Sequence, residues 1–344
     1  MVAQRVGIVG ASGYGGAELA RLLGGHPALE LATLGAHSSA GEPVAGLYPN
    51  LAEARRFDPI DIGALTELDL VFLATPHAAA IELGGALYDA GTKVVDLSAA
   101  FRLGADEFTQ WYGQEHPRPD LLDGAAVYGL TEYARDAVAG ATLVANPGCY
   151  VTTALLGLLP LAGMLDPTSI VIDGKSGTSG AGRGVSDTLH FAHVDGSVTA
   201  YGAPSHRHTG EIERYLRVLG GLDVPAVSFT PHLVPMTRGL LITAYARLTP
   251  GASQDDVTAA LHERYAGEPF VRVLPPGTFP ATKAVHGSNG CQVSAIVDPR
   301  TDRVVVTCVT DNLGKGAAGQ ALQNANLMLG LEESLGLTAI GVYP

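Results

Sequence analysis

Apolar positions along the chain fall into two regimes. From Arg5 to Gly35 the text runs "RVGIVG", "ASGYGGAELARLLGGHP" and "ALELATLGA". A short apolar run bounded by turn residues predicts a buried strand, and Leu19, Leu22 and Leu23 at helical spacing predict a helix facing a sheet. Gly24 and Gly25 mark the end of that helix. The stretch therefore reads as a parallel βαβ unit. The pattern recurs in "LDLVFLA" at 68–74, "HAAAIELGGALYDAG" at 77–91 and "KVVDLS" at 93–98. Alternating strands and helices predict a doubly wound sheet. After "TLVANPG" the regime changes, and longer strand candidates, "AVSFTPHL", "GLLITAYARLT", "CQVSAIVD" and "DRVVVTCVTDN", follow with few helices between them. These predict a mostly antiparallel sheet with one open face. The chain closes on "GKGAAGQALQNANLMLGLEESLG", whose small and apolar residues at helical spacing predict a helix packing on the first domain.

Composition narrows the function classes. The 344 residues are 47% apolar and 16% charged, with no uninterrupted apolar run long enough for a membrane span. The start, "MVAQRVGIVGASG", enters a strand without a basic or leader-like segment, so a cytoplasmic protein is expected. A net charge of −13 without any Lys/Arg-rich block argues against nucleic acid and anionic membranes as partners and favours a small molecule. If that molecule is anionic, cations must be gathered locally. Cys149, Cys291 and Cys308 are widely spaced and form no C-x-x-C pattern, so free thiols are expected rather than disulfides or a zinc site.

The segment "GASGYGG" follows a strand directly and precedes a helix directly. Gly10, Gly13 and Gly16 allow a tight turn and close backbone approach, while the helix start offers unpaired N–H groups and a positive dipole end to a pyrophosphate. Gly10, Ser12, Gly13, Tyr14, Gly15 and Gly16 are the candidate dinucleotide-binding residues. At the end of the second strand an NAD enzyme usually presents Asp or Glu to the ribose. Here the text is "LGAHSSAG", in which Ser38 and Ser39 could bond a 2′-phosphate, so NADP is the expected cofactor, although no arginine accompanies them. The expected fold is α/β, a Rossmann-type dinucleotide-binding domain of residues 1–147 and 314–344. Residues 148–313 are expected to form an α+β catalytic, substrate and oligomerisation domain.

Cys149 stands in "NPGCY" where a Pro-Gly turn becomes a helix. A thiol at a helix N-terminus is stabilised as thiolate and can attack an acyl carbon while helix N–H groups receive the oxyanion. Cys291 and Cys308, inside strand-like runs, read as buried apolar residues. A thiol nucleophile beside a nicotinamide cofactor narrows the chemistry to covalent acyl reduction, which needs a proton-transfer group. "PSHRHTGEIERYL" offers His206 and His208 ahead of a helix whose polar face holds Glu211 and Glu213. An H-x-H pair also suits a metal or plain surface polarity; no nearby carboxylate or cysteine completes a ligand set, and no metal is assigned. "GKSGTSGAGRGVSD", with Lys175, Ser179 and Arg183, reads as an anion or nicotinamide-side loop.

Taken in order, "GASGYGG", "SAAFRL", "NPGCY", "SGTSGAGR", "HRHTGEI" and "DNLGKGAAGQALQN" span most of the chain. The set resembles the N-acetyl-gamma-glutamyl-phosphate reductases of the aspartate-semialdehyde dehydrogenase superfamily. The resemblance implies NADPH-dependent reduction of N-acetyl-γ-glutamyl phosphate to the 5-semialdehyde with release of phosphate, in arginine biosynthesis, by a homodimer or homotetramer. It makes Cys149 the nucleophile and His208 the acid/base. It gives substrate binding to His206, Arg102 and Arg183, and cofactor contact to Asn312 and Ser179. Two positions depart from the family pattern: Ala100 stands where Asp is usual, which removes a possible partner of Arg102, and Val151 stands where Pro is usual. The competing readings are the related reductase of lysine biosynthesis acting on a carrier-bound aminoadipyl phosphate, disfavoured by Tyr150, and a dinucleotide-binding regulator without chemistry.

Overall fold

The computed structural model describes residues 3–343; Met1, Val2 and Pro344, the ends of the domain ranges given above, lie outside them. The chain divides into two compact units. One runs to Gly148 and takes up Ala317–Ala339; the other holds Cys149–Gly316 and the chain end from Ile340.

The first unit begins with β1 (Gln4–Val9), α1 (Tyr14–Leu23), β2 (Leu29–Gly35), α2 (Val44–Leu47), α3 (Ile62–Thr66), β3 (Leu70–Leu73) and α4 (His77–Asp89). It continues with β4 (Lys93–Asp96), α5 (Ala105–Tyr112), β5 (Ala126–Tyr128), α6 (Thr131–Ala139) and β6 (Leu143–Ala145). The strands form a six-stranded sheet in the order β2-β1-β3-β4-β6-β5, parallel at every pairing. Its central strands are apolar at consecutive positions because helices cover both faces, and Leu70, Val71, Phe72 and Leu73 are all fully buried. In α1, Leu19 and Leu23 are buried and Leu22 lies at the rim.

The second unit holds α7 (Cys149–Leu158), β7 (Val171–Ser176), α8 (Phe191–Val194), β8 (Thr199–Ala200), α9 (His208–Val218), β9 (Ser228–Leu233) and β10 (Leu240–Arg247). It ends with α10 (Gln254–Tyr265), β11 (Val271–Val273), β12 (Cys291–Asp298) and β13 (Arg303–Thr310). Its seven-stranded sheet has the order β11-β12-β13-β10-β7-β9-β8, antiparallel except where β11 meets β12 and β7 meets β9. Strand β10 shows why one face is closed: Leu240, Ile242, Ala244 and Ala246 are buried, while Tyr245 and Arg247 are exposed. Helix α7 packs on β10, β13 and α9 and is buried from Tyr150 to Leu158, so it is apolar all round rather than amphipathic. Between β7 and α9 the chain makes an exposed excursion that carries Val185, Phe191 and Val198.

The chain then returns to the first unit through α11 (Gly319–Met328), which packs against α6, α1 and β4. Its polar residues are consumed inside: Asn324 Nδ2 donates to Gly129 O at 2.9 Å and to Asn146 Oδ1 at 3.1 Å, and Thr131 Oγ1 donates to Asn324 Oδ1 at 2.7 Å. The closing segment is shared, whereas the sequence reading carries all of 314–344 with the first domain. Gly314 and Gly316 stay with the second unit because their amides bond Asp311, at 3.0 Å to its Oδ1 and 2.9 Å to its carbonyl. Val342 comes back to it by donating to His286 O at 2.9 Å. Among the described residues no helix is long and apolar enough to cross a membrane.

Candidate active site

Helix α7 begins at Cys149, where the first N–H groups of a helix lack intrahelical acceptors. The thiol is half-buried, unlike the fully buried Cys291 and Cys308. Thr153 fixes this first turn: its Oγ1 donates to Cys149 O at 2.9 Å and meets Thr310 Oγ1 at 2.8 Å. Gly316 presses on the other side, where a Cβ would stand 2.9 Å from Cys149 Cβ. Only a residue without a side chain leaves the thiol its position. The next residue, Tyr150, is a buried pillar whose Oη donates to His232 O at 3.0 Å, and its ring occupies the space a Cβ on Gly174 would take.

Cys149 opens onto a cavity of about 840 Å³ lined also by Tyr150, Ser176, Tyr201, His206 and His208, with the exposed excursion as its outer wall. The two histidines stand edge to face, with ring centroids 4.8 Å apart, and both pack edge-on against Tyr150. The amide of His208 donates to His206 Nδ1 at 3.2 Å, so His206 carries its proton on Nε2. Burial, with a contribution from the Arg207 charge, pushes the His206 pKa down to about 4, which makes it a neutral donor near pH 7. His208 opens α9, and Glu211 follows it by three residues on the same side of the helix. The sequence places Glu211 on a polar face; in the fold it is 3% exposed. A carboxylate that deep is kept only with a partner. Glu213 instead accepts from Val227 N at 2.9 Å.

Asn312 and Ser179 are brought together: Asn312 Nδ2 donates to Ser179 Oγ at 2.9 Å, and its Oδ1 accepts from Gly239 N at 2.8 Å. Asp311 beside them is buried and clamped by Arg238, Nε to Oδ2 at 3.0 Å. Arg183 is exposed on the excursion and Lys175 pairs with Asp173 at 2.9 Å; among the described residues no Lys or Arg lines the cavity. Nor does any group of His, Cys, Asp and Glu among them gather so as to hold a metal ion.

In the first unit, Gly10 sits at φ +89°, a conformation that favours glycine, and a Cβ on either Gly10 or Gly16 would overlap backbone. Gly13 and Gly15 face open space by comparison, and α1 starts at Tyr14 without a side-chain cap or an acidic first turn. Ser12 lends its carbonyl to Tyr48 Oη at 2.8 Å. An uncapped helix start behind a turn that admits no Cβ at Gly10 or Gly16 fits a dinucleotide pyrophosphate. After β2, Ser39 is buried and Ser38 exposed, and the loop gains an arginine from elsewhere: Arg56 Nη1 donates to Gly41 O at 2.7 Å. An acid also arrives there, but the Asp58 carboxylate is turned onto the strand and accepts from Leu34 N at 2.9 Å.

The semialdehyde dehydrogenase NAD binding domain family matches residues 5–141, and the semialdehyde dehydrogenase dimerisation domain family matches 149–312. N-acetyl-gamma-glutamyl-phosphate reductase from Brevibacillus brevis is 49% identical over 346 residues, covering 99% of both chains. The protein of the same description from Moorella thermoacetica is 46% identical over 348 residues, again covering 99% of each. The chain belongs to the N-acetyl-gamma-glutamyl-phosphate reductase family. Its fold is also that of aspartate semialdehyde dehydrogenase II from Vibrio cholerae complexed with ASA, at TM-score 0.71 and 15% identity over 96% of this chain and 99% of that one. Aspartate semialdehyde dehydrogenase with NADP from Candida albicans matches likewise, at TM-score 0.71 and 18% identity over 95% and 98% of the two chains.

Within this N-acetyl-gamma-glutamyl-phosphate reductase family the two departures of the chain find a physical setting. Ala100 is fully buried, and the charge of Arg102 is felt by a carboxylate elsewhere, that of buried Asp96. Burial raises the Asp96 pKa to about 6, against the opposing pull of Ser98 hydrogen bonds and of Arg102. Arg102 is itself buried and donates from Nε to Asn146 O at 2.8 Å and from Nη2 to Leu97 O at 2.7 Å. Val151 is fully buried in α7, so the helix start there is held by packing and by Thr153 rather than by a proline ring.

Proposed function

We propose that this chain reduces N-acetyl-γ-glutamyl phosphate to N-acetylglutamate 5-semialdehyde and phosphate with NADPH, in arginine biosynthesis. The observation that carries the reading is the half-buried thiol at the start of α7, opening on one cavity with His206 and His208. Cys149 Sγ attacks the acyl carbon, the C–O bond to phosphate breaks, and a thioester remains on the enzyme. N–H groups of the first turn of α7 stabilise the oxyanion on the way in and out. His208 takes the thiol proton and returns a proton to the oxygen of the reduced carbon, with Glu211 as the buried carboxylate on its side of α9. NADPH, when bound, supplies the hydride that converts the acyl group to the aldehyde.

Gly10, Ser12, Gly13, Tyr14, Gly15 and Gly16 are assigned to the cofactor pyrophosphate, Ser38, Ser39 and Arg56 to its 2′-phosphate, and Ser179 and Asn312 to its nicotinamide side. His206, which lines the cavity, is assigned to the anionic groups of the substrate; Arg183, exposed on the excursion, and Arg102, which anchors the Asn146 strand end, do not line it and are assigned to those groups on the family resemblance alone. The protein is read as a cytoplasmic homodimer or homotetramer, a reading supported by the dimerisation domain family that spans the second unit. The direct test is run in reverse. Purified protein with NADP, phosphate and N-acetylglutamate 5-semialdehyde should generate NADPH absorbance, and none without phosphate beyond a single turnover. Sustained NADPH formation that ignores phosphate would argue against the acyl-phosphate reaction.

A further inference from the structure

Asp311 stands between the two points where the end of β13 and the turn after it touch the first turn of α7. On one side Thr310 Oγ1 meets Thr153 Oγ1 at 2.8 Å, and Thr153 Oγ1 donates to Cys149 O at 2.9 Å. On the other side Gly316 lies so close that a Cβ there would stand 2.9 Å from Cys149 Cβ. The turn between them ends in Gly314-Lys315-Gly316. Two glycines in three residues leave its shape to be imposed by hydrogen bonds rather than by side-chain sterics.

Asp311 imposes that shape. Its Oδ1 accepts from Leu313 N at 2.9 Å and from Gly314 N at 3.0 Å, and its carbonyl accepts from Gly316 N at 2.9 Å. Its Oδ2 accepts from Gly287 N at 2.6 Å, which draws the turn against the neighbouring loop, where a Cβ on Gly314 would overlap Ser288 O. The carboxylate is fully buried, and Arg238 completes its shell, donating from Nε to Oδ2 and from Nη2 to Oδ1, each at 3.0 Å. Such a fork fixes the geometry of both partners.

Arg238 carries the link onward. It lies in the stretch 236–239, whose backbone holds the loop at 177–179: Thr178 N donates to Met236 O at 2.8 Å, Ser179 N to Thr237 O at 3.2 Å and Gly177 N to Gly239 O at 2.9 Å. Asn312, next to Asp311, adds a second tie through Ser179 Oγ and Gly239 N. One carboxylate thus joins the seat of the thiol to the loop that carries Ser179.

We infer that Asp311 is a positioning residue for hydride transfer. By holding Gly316 against Cys149 and Arg238 against the 177–179 loop, it fixes the acyl carbon on the thiol relative to the nicotinamide. The inference rests on the functional reading above, which puts the acyl group on Cys149 and the nicotinamide beside Ser179 and Asn312. It gives a duty to a buried acid that does not line the cavity.

The test is the first turnover, followed by stopped flow with saturating NADP and N-acetylglutamate 5-semialdehyde and without phosphate. The amplitude of NADPH counts the working sites, and the rate constant reports their geometry. Asp311→Asn keeps the shape of the side chain but turns an amide NH2 towards Gly287 N and Arg238 Nε or towards the Leu313 and Gly314 amides, donor against donor. It should lower the rate constant by about ten- to a hundredfold, the cost of a misplacement of about 1 Å, at an amplitude near one equivalent and with the Kd for NADP changed less than about twofold. Arg238→Gln is the second variant, and it decides the matter alone should Asp311→Asn not fold. It leaves Asp311 its three amides and should lower the rate constant by about threefold or more, the size of a lost hydrogen bond. A merely structural Asp311 would lose amplitude, because fewer molecules fold, and leave the remaining sites their native rate constant. A native rate constant in either variant, at any amplitude, overturns the inference. A native enzyme that forms no NADPH from this aldehyde refutes the functional reading itself and the inference with it, a distinct failure.

Discussion

Two helix starts carry the chemistry, and they are built alike but furnished differently. At α1 and at α7 a strand ends, a glycine-containing turn follows, and a helix begins without a proline or an acidic residue in its first turn. Both starts offer N–H groups with a positive dipole end. At α1 the first turn is Tyr14-Gly15-Gly16, so the N–H groups are bare and suited to a bound anion. At α7 the first residue is Cys149, so the same field acts on a covalently attached thiol. The rest of each helix follows its duty. Helix α1 is amphipathic and lies on a sheet surface, whereas α7 is buried all round and pinned by Thr153 and by Tyr265 Oη, which donates to Leu156 O at 2.5 Å. A reversible ligand site tolerates a surface helix; a nucleophile that must be placed accurately sits on one buried along its length.

That contrast can be broken one side at a time. The largest effect is expected from Cys149→Ser, which should take turnover to background in the NADPH-coupled assay while leaving the Kd for NADP, read by fluorescence quenching, nearly unchanged. Cys291→Ser and Cys308→Ser, at thiols that stand 3.3 Å apart in the core, should keep most activity. Next, His208→Asn should lower kcat by about two to four orders of magnitude, the usual worth of a positioned acid or base, again with NADP binding intact. A loss mainly in KM would move the proton-transfer role elsewhere in the cavity.

On the other side, Arg56→Ala should reduce the preference for NADPH over NADH by about tenfold through the NADPH KM, the size of a lost charge-assisted hydrogen bond, while kcat at saturating cofactor holds. Equal ratios in native and variant enzyme would remove Arg56 from the 2′-phosphate site. The smallest effect concerns pH. His206 has its pKa pushed down to about 4 in the fold, from an ordinary 6.5. Between those values the unfolded chain binds the proton and the folded one does not, so this residue's contribution makes stability rise with pH across the window and fall on acidification from 6.5 towards 4. His206→Asn should flatten the dependence of Tm on pH in that window alone.

Where apolar text is long, the sequence reveals the fold: β1, α1 and β2, then β3, α4 and β4, and the long strands β9, β10, β12 and β13 all lie in the stretches their periodicity marks. Strand β7 escapes because its end, Gly174-Lys175-Ser176, looks like a loop. Gly174 is there to admit the Tyr150 ring and Ser176 to line the cavity, so a functional demand overrides strand propensity. Strands β5 and β6 have three residues each, too few for any period to register. The site divides the same way. Cys149, His206 and His208 announce themselves by local context, a turn before a helix and a repeated histidine. Arg56 and Gly316 do not, because each acquires its partner across the fold: Gly41 and Cys149 are separated from them by chain that carries no signal of the meeting. Glu211 was legible as a residue but not as a buried one, since helical spacing alone does not say which face of α9 is covered.

The central claim is that the thiol at the start of α7 forms a bond to the acyl carbon. Mass spectrometry of protein mixed with NADP and N-acetylglutamate 5-semialdehyde in the absence of phosphate tests it most directly. The thiol adds to the aldehyde, hydride leaves for NADP, and without phosphate the acyl group has no acceptor but water. The account predicts one equivalent of NADPH and an N-acetylglutamyl adduct on the peptide containing Cys149, discharged when phosphate is added. One equivalent of NADPH with no adduct on that peptide, or an adduct on Cys291 or Cys308, would contradict it.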